Sequence, residues 1–473
     1  MVNSTPDKNN ITPQTHSGPL TLQRKQSRTA RFVAVETLCH LYRQRLPVKP
    51  LLDRAVQGYG LPGNERNLTM QLVYGVLRNR QYLDRILRLL SKTPLRKIDP
   101  IIHQAIAVGL YQLFFLERIP PSAAVNEMVE CCKTAGVPKR LEGFVNGILR
   151  QSIRQKTVLA EQAQRDETGA EIVNHPEWLV ARWKKHFGAE ETLRICRANN
   201  REPLLTVRIN TVKISRDDFR QLLEPHEIVS HVGNYSEDAV LLPEFQGSIT
   251  AIPGYAEGFF QVQDEAAQLA TCLLGPFRPG STYLDGCAGL GGKTSHLLQF
   301  AARHGFKVHA VEPEPHRLGK LQENLARLFP GDVPVIHEMN LQQLPRRDLP
   351  LFDGILIDAP CSGTGVTGRH PDIRWNRRPE DIARYRQEQL ALLEHAADLL
   401  APGGVLVYAT CSLEPEENQG VVQEFLFDHK AFSLTDCSGQ LPEPARRFVV
   451  DGCFAPRPEA DIDGFYAARM QLK

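Results

Sequence analysis

The chain reads as a multidomain protein: an all-helical N-terminal domain, a small α+β middle domain, and a C-terminal α/β domain on an open, doubly wound parallel sheet. Three observations predict this. Apolar residues recur at helical spacing in the first third, short alternating segments follow a helix in the middle, and the remainder repeats strand, glycine turn and helix. A length of 473 residues also exceeds one typical core, since domains run to about 150 residues. With 42% apolar and 23% charged residues, the composition is that of a folded globular protein.

Several classes fall away at once. The ten cysteines lack metal-type CxxC pairs, and Cys131-Cys132 sits in a helical pattern, so no metal is expected. Neither a secretory signal nor a run of roughly 20 apolar residues is seen. A cytoplasmic protein with free thiols and no membrane partner is therefore expected. A net charge of +2 neither demands nor excludes nucleic acid.

Taken in order, residues 1–26 are polar and lack periodicity, as a disordered tail would. Residues 27–155 carry helical patterns, such as Phe32, Val35, Leu38 and Tyr42, or Ile106, Leu110, Leu113 and Phe114. The polar stretch 156–172 suits a linker or an exposed helix. Residues 173–250 open on a helix and continue with strand-like Leu205–Ile209 and Ala239–Leu242, a small mixed domain. In 251–473, Thr282–Asp285, Val308–Glu312, Gly354–Asp358 and Val405–Ala409 read as buried parallel strands, with helices such as Arg317–Arg327 and Pro379–Leu400 between them. Ligands in such sheets bind beyond the carboxyl ends of the strands.

The turn Asp285-Gly286-Cys287-Ala288-Gly289-Leu290-Gly291-Gly292-Lys293-Thr294 joins strand to helix, and its glycines let backbone N–H groups approach a ligand. A dinucleotide fingerprint would need glycine where Thr294 stands, and a phosphate-binding loop would need it at Cys287. The third reading is S-adenosylmethionine, with an amino-acid tail and a ribose to hold. Glu312, ending the next strand, suits the ribose hydroxyls, although it would equally cap the helix that follows.

Two thiols stand at strand ends, Cys361 in Asp358-Ala359-Pro360-Cys361-Ser362 and Cys411 in Thr410-Cys411-Ser412. A lone free cysteine usually fills apolar space; two at one sheet edge beside a glycine turn point to chemistry. Carbon 5 of cytosine is too electron-poor to take a methyl group until a nucleophile adds at carbon 6. A thiolate does this, and a carboxyl such as Asp358 eases the charge on ring nitrogen 3. From the residues alone the roles of the two thiols are exchangeable.

These motifs, with the terminal Asp463-Gly464-Phe465-Tyr466, closely resemble the Nol/Nop/Sun family of RNA cytosine-5 methyltransferases, whose catalytic domain is Rossmann-like. The resemblance implies that Cys411 is the nucleophile and that Cys361 assists product release. It places S-adenosylmethionine on Cys287, Ala288, Gly289, Leu290, Gly291, Gly292, Lys293, Glu312, Asn340 and Asp358. Asn340 stands where the family usually has aspartate, yet its side-chain oxygen still accepts from an adenine amino group. Leu72–Arg78, Gly109–Leu113, Ala124–Glu127 and Phe144–Arg150 look like a NusB-type RNA-binding domain. That fusion is the mark of the RsmB (Sun/Fmu) subfamily and implies 16S ribosomal RNA as substrate; binding before full subunit assembly is expected, and no obligate protein partner is evident in the sequence.

For RNA contact the expected residues are Arg369, His370, Arg374 and Trp375, which follow the Asp358 turn, and Arg208. Other basic clusters are Arg24-Lys25, Arg28 and Arg31, Arg78 and Arg80, and Arg377-Arg378. A solvated face is the bland alternative. The rival functions are a non-catalytic RNA-binding assembly factor, a relative acting on tRNA, and an exocyclic amino-group methyltransferase, which would need no thiol.

Overall fold

The computed structural model describes residues 28–473 apart from 45, 332 and 348, so the expected tail and Arg24-Lys25 lie outside the described residues. The first domain is α1 (Ala30–Gln44), α2 (Val48–Tyr59), α3 (Gly63–Arg78), α4 (Arg80–Leu90), α5 (Pro100–Phe115), α6 (Pro121–Thr134), α7 (Lys139–Arg154) and α8 (Lys156–Gln162). Its axis is α5. Asp99 caps that helix by accepting from the Ile101 N–H at 2.9 Å, and Pro100 occupies its first position. Because Ile102, Ala105, Ile106, Val108 and Leu110 leave no polar face, α1, α3, α6 and α7 pack around α5. The stretch expected as a linker or exposed helix is α8, largely exposed, which buries Leu159 and, with Ala163 after it, rests on the helical core.

Next come α9 (Glu177–Phe187), α10 (Ala189–Asn200), β1 (Leu205–Ile209), α11 (Arg216–Leu223), β2 (His231–Val232), β3 (Ala239–Leu242) and β4 (Phe260–Val262). The strands form an antiparallel sheet in the order β2–β3–β1–β4. Val207, Ile209, Val240, Leu242 and Phe260 pack there on Phe219 and Leu223 of α11. Two boundaries differ from the sequence reading. β4 completes this sheet beyond residue 250, through the Val207–Val262 pair. And α9 with α10 belong elsewhere: Leu179, Trp183, Ile195 and Cys196 pack on Leu413, beside the second thiol.

The C-terminal domain contains α12 (Glu265–Cys272), β5 (Thr282–Asp285), α13 (Gly292–His304), β6 (Lys307–Val311), α14 (Pro315–Leu328), β7 (Val335–His337), β8 (Phe352–Asp358), α15 (Ile373–Asn376), α16 (Pro379–Leu399), β9 (Leu400–Thr410), α17 (Gln419–Asp428), β10 (Phe432–Thr435), β11 (Val449–Val450), β12 (Cys453–Phe454) and β13 (Tyr466–Leu472). The sheet order is β11–β12–β13–β9–β8–β5–β6–β7, with β10 also on β13. β7, β6, β5, β8 and β9 run parallel, and β13 is antiparallel to β9. Ile355, Leu356 and Ile357 are fully buried, as expected of a parallel strand covered on both faces. From β5 the chain winds one way to β6 and β7, then returns to lay β8 and β9 on the other side. The crevice between the carboxyl ends of β5 and β8 is thus the switch point where ligands bind.

The helical domain docks on one segment of the catalytic domain, Gly368–Asn376. Arg78 donates to the Gly368 carbonyl at 2.9 Å, Trp375 Nε1 to the Leu77 carbonyl at 2.7 Å, Asn376 to the Leu46 carbonyl at 3.0 Å, and the Val48 N–H to Asp372 at 3.1 Å. No helix among the described residues is long and apolar enough to cross a membrane.

Candidate active site

At the switch point lies a cavity of about 890 Å³. Its floor is the turn after β5. Asp285 is fully buried and anchors that turn, accepting from Thr294 Oγ1 at 2.7 Å. Burial raises its pKa to about 6. Gly291 takes φ +86°, and a Cβ there would come within 2.6 Å of Leu321, so only glycine lets α13 start this close to α14. Gly286, Cys287, Gly289 and Lys293 face the cavity. The other expected cofactor residues serve differently: the Ala288 N–H donates to the Val311 carbonyl at 2.9 Å, its own carbonyl accepts from Gly291, and Leu290 points outward. With Gly292, these three shape the turn.

Glu312, Asn340 and Asp358 line the same cavity. Glu312 caps the helix that follows and also lines the cavity. Its Oε1 accepts from the Glu314 N–H at 2.8 Å, the capping role, while Oε2 has no partner among the described residues and is open to a ribose. The backbone amides of the turn and this carboxylate fit the tail and the ribose of S-adenosylmethionine. Cys287 is held protonated, its thiol pushed up by burial and by Asp285, Asp358 and Glu312.

On the opposite wall the two thiols meet. β8 delivers Cys361 and β9 delivers Cys411, and their Sγ atoms are 3.3 Å apart. Cys361 keeps its proton: the hydrogen bond with Cys411 and then burial hold its pKa well above that of a free thiol. Asp358 Oδ2 accepts from Lys293 Nζ at 2.5 Å, and that ammonium lies 5.3 Å from the centre of the Phe465 ring. The terminal motif is brought here by Gly464, whose N–H donates to the Gly365 carbonyl at 3.0 Å, while Gly365 itself donates to the Cys411 carbonyl.

One residue that the sequence reading missed ties the thiol loops together. Glu417 is fully buried, accepting from the Ser362 N–H at 2.8 Å, Gln389 Nε2 at 3.1 Å and Ser412 Oγ at 3.1 Å. Ser362 follows Cys361 and Ser412 follows Cys411. This carboxylate, together with the direct Ser362 Oγ–Ser412 Oγ contact of 3.0 Å, ties the two thiol loops to each other. Asp285 was missed as well; its place at the end of β5, as Asp358 ends β8, was the available signal.

The expected RNA contacts need correction. Arg374 is fully buried and donates to the carbonyls of Asn174, Asn199 and Thr367 and to Asn200 Oδ1, at 2.7–3.0 Å. Arg208 is buried too, bonded to Gln263, to the Gly292 carbonyl and to Ser295 Oγ, and so clamps the start of α13. Burial lowers both guanidinium pKa values, to about 9 and about 10, while these acceptors hold the charge. Neither side chain reaches RNA. Arg369 lines the cavity but pairs with Asp264 and Asp463 at 2.8 and 2.5 Å, bracing its rim. Trp375 belongs to the domain seam. Only His370 of the expected set faces the cavity without such a tether; Arg377 joins it, fixed by donation to the Ser362 carbonyl at 2.9 Å and lying over Tyr385.

A switch-point crevice with the backbone amides of a glycine turn, a carboxylate at the end of the next strand and two thiols on its wall fits an S-adenosylmethionine-dependent methyltransferase. Comparison with known proteins agrees. Residues 272–471 match the family described as 16S rRNA methyltransferase RsmB/F, residues 28–154 the NusB family, and residues 175–247 the ferredoxin-like domain of RsmF/B-like methyltransferases. The chain is 34% identical, over 94% of its length and 99% of the relative's, to the probable ribosomal RNA small subunit methyltransferase B of Bacillus subtilis. It is 36% identical, over 95% of its length and all of the relative's, to the ribosomal RNA small subunit methyltransferase B of Yersinia pseudotuberculosis. The crystal structure of PH0851 shares the fold over 94% of this chain and 100% of its own, with a TM-score of 0.73 at 23% identity. A methyltransferase homolog from Pyrococcus horikoshii matches 64% of this chain and 96% of its own, at 29% identity and a TM-score of 0.53. The chain belongs to the ribosomal RNA small subunit methyltransferase B family.

Proposed function

We propose that this protein methylates carbon 5 of a specific cytosine in small-subunit (16S) ribosomal RNA through a covalent adduct on Cys411. The observation that carries the reading is the pair of sulfurs 3.3 Å apart in the cavity that also holds Asp358. An amino-group methyltransferase has no use for two juxtaposed thiols.

S-adenosylmethionine, held by the turn after β5 and by Glu312 and Asn340, supplies the methyl group. The chain's residues do the rest. Cys411 releases its S–H proton to solvent and attacks carbon 6 of the cytosine as the thiolate, the carbon 5–carbon 6 π electrons moving into the ring toward nitrogen 3 and carbon 5. Lys293 Nζ holds a proton beside Asp358 Oδ2, and the pair neutralises the charge that develops on nitrogen 3. With carbon 5 methylated, a base removes its proton and the carbon–sulfur bond breaks, its electron pair returning to Cys411. The Cys361 thiol, still protonated, donates a hydrogen bond to that departing sulfur. Arg377 over Tyr385, with His370, lines the mouth through which an unstacked base enters.

The base has to leave any helix to reach this cavity, at a cost of a few kcal/mol. That favours RNA not yet locked into a finished subunit, and no protein partner is needed to complete the site. The free thiols fit the reducing cytoplasm. The deciding measurement is methyl incorporation into small-subunit RNA from cells lacking the protein. The intact protein should label one cytosine and Cys411→Ala none; no labelling by the intact protein would overturn the reading.

A further inference from the structure

A second cavity, of about 410 Å³, lies in the seam between the helical and catalytic domains. Only α15 separates it from the catalytic cavity: Ile373 and the following Arg377 line the catalytic side, Trp375 and Asn376 the seam side. A helix is about 10 Å across, so two adjoining stretches of one RNA strand can occupy both.

The seam cavity is walled by groups suited to a planar ligand. Arg80 Cζ lies 5.0 Å from the centre of the Trp375 ring and 5.8 Å from that of Tyr42, and Arg80 has no ion-pair partner among the described residues. Trp375 is locked by its bond to Leu77, whereas Tyr42 is 55% exposed. Below them, Asp84 Oδ1 is 2.7 Å from His103 Nε2, and His103 Nδ1 is 3.1 Å from Gln104 Nε2. Donation by Gln104 to Nδ1 leaves His103 to donate through Nε2. Asp84 Oδ2 remains as an acceptor with no partner among the described residues. The cavity offers stacking planes, a cation and a carboxylate oxygen.

We propose that the seam cavity binds an unstacked guanine base of the substrate RNA, close in sequence to the target cytosine. The base would lie against the Arg80, Trp375 and Tyr42 wall with its N1–N2 edge on Asp84. Guanine is the base that fits because it alone places two N–H donors side by side on that edge, one for the free Asp84 Oδ2 and one for the remaining lone pair of Oδ1. Adenine and cytosine set an amino group next to a ring acceptor, and uracil flanks its one N–H with two carbonyls. The Arg80 charge also suits the neighbouring phosphate. The inference rests on the RNA reading above and adds where specificity is read.

The test uses the full-length protein and short small-subunit RNAs spanning the methylated cytosine, with each nearby guanosine replaced singly by inosine, which lacks the 2-amino group. Affinity is read by fluorescence anisotropy and methyl transfer separately, so failure of catalysis and failure of this site are distinguishable. One replacement should weaken binding about ten-fold. Asp84→Asn should bind the unmodified RNA as weakly as the wild type binds that inosine RNA, and should no longer distinguish the two. Arg80→Gln, which leaves the Asp84–His103 pair intact, should weaken both RNAs and lower the salt dependence of binding. Thermal melting confirms that each variant is folded. If no guanosine replacement matters to the wild type, or if folded Asp84→Asn keeps the wild type's full discrimination, the proposal is overturned.

Discussion

Glu414, Glu416 and Glu417 follow Cys411 almost in a row, and nothing in their order says which one matters to the thiols. Folded, they part company. Glu414 is buried against Arg182 and Trp183 Nε1, Glu416 shares Arg182 nearer the surface, and Glu417 alone bridges the two cysteine loops. Glu417→Ala should cost about 3 kcal/mol or more in denaturant unfolding, because Ser362, Ser412 and Gln389 lose a buried acceptor. Glu417→Gln should keep most of that stability through one remaining oxygen. For the thiols the expected outcomes are opposite. Cys411→Ala should give no covalent complex with 5-fluorocytosine RNA, whereas Cys361→Ala should trap one even on ordinary RNA, seen as a band of slow mobility on a denaturing gel. Strand-end cysteines and Asp358 were legible in the sequence because chemistry puts unusual residues at turns. The fate of a basic cluster was not. Arg374 and Arg377 are three residues apart, and only the fold shows that one guanidinium is enclosed by carbonyls while the other lines a cavity.

The strands and helices of the catalytic domain were readable because parallel strands buried on both faces are continuous apolar runs. The small sheet was harder: β4 is three residues long, and its place is decided by pairing with β1 rather than by its own pattern. The turn after β5 carries a test of its own. Asp285 is more easily protonated in the fold than in an unfolded chain, about 6 against an ordinary value of 3.8. Its contribution is therefore fully present below about pH 4 and is lost as pH rises through 6, by up to about 3 kcal/mol. Asp285→Asn should flatten that part of the pH–stability curve relative to the wild type, measured by thermal melting between pH 4 and 7. Arg374→Ala should destabilise by about 3 kcal/mol or more by leaving four acceptors unpaired. It should nevertheless leave the salt dependence of RNA binding unchanged in a temperature range where the variant stays folded; a reduced slope would return Arg374 to the RNA interface.

At the level of the whole molecule, the helical domain meets the catalytic domain through one short segment, whereas the small sheet is bonded to the catalytic domain at many points, among them Arg208 donating to Ser295 and the Tyr235 and Ser236 N–H groups donating to Glu265. Helical residues at the seam rest on Gly368–Asn376, and among the described residues Arg78 is the one buried cation that crosses it from the helical side. Arg78→Ala should split calorimetric unfolding into two transitions, the helical domain melting apart from the catalytic one; a single transition as cooperative as the wild type's would show that the seam is held elsewhere. The division into domains was foreseeable from periodicity. Which helix went with which core was not, since α9 and α10 precede the small sheet in sequence yet pack beside Cys411.

The short helix α15 has the domain seam on one side and the thiol cavity on the other, and Arg377 at its end grips the carbonyl beside Cys361. It is a lever with a very short arm. If RNA seats on the helical domain as proposed, it would press on the same few residues that steady the Cys361 loop, whereas a loose cytosine filling the cavity alone would leave the other end of the lever unweighted. Discrimination against stray transcripts would then be felt in the turnover rate as well as in how tightly they bind.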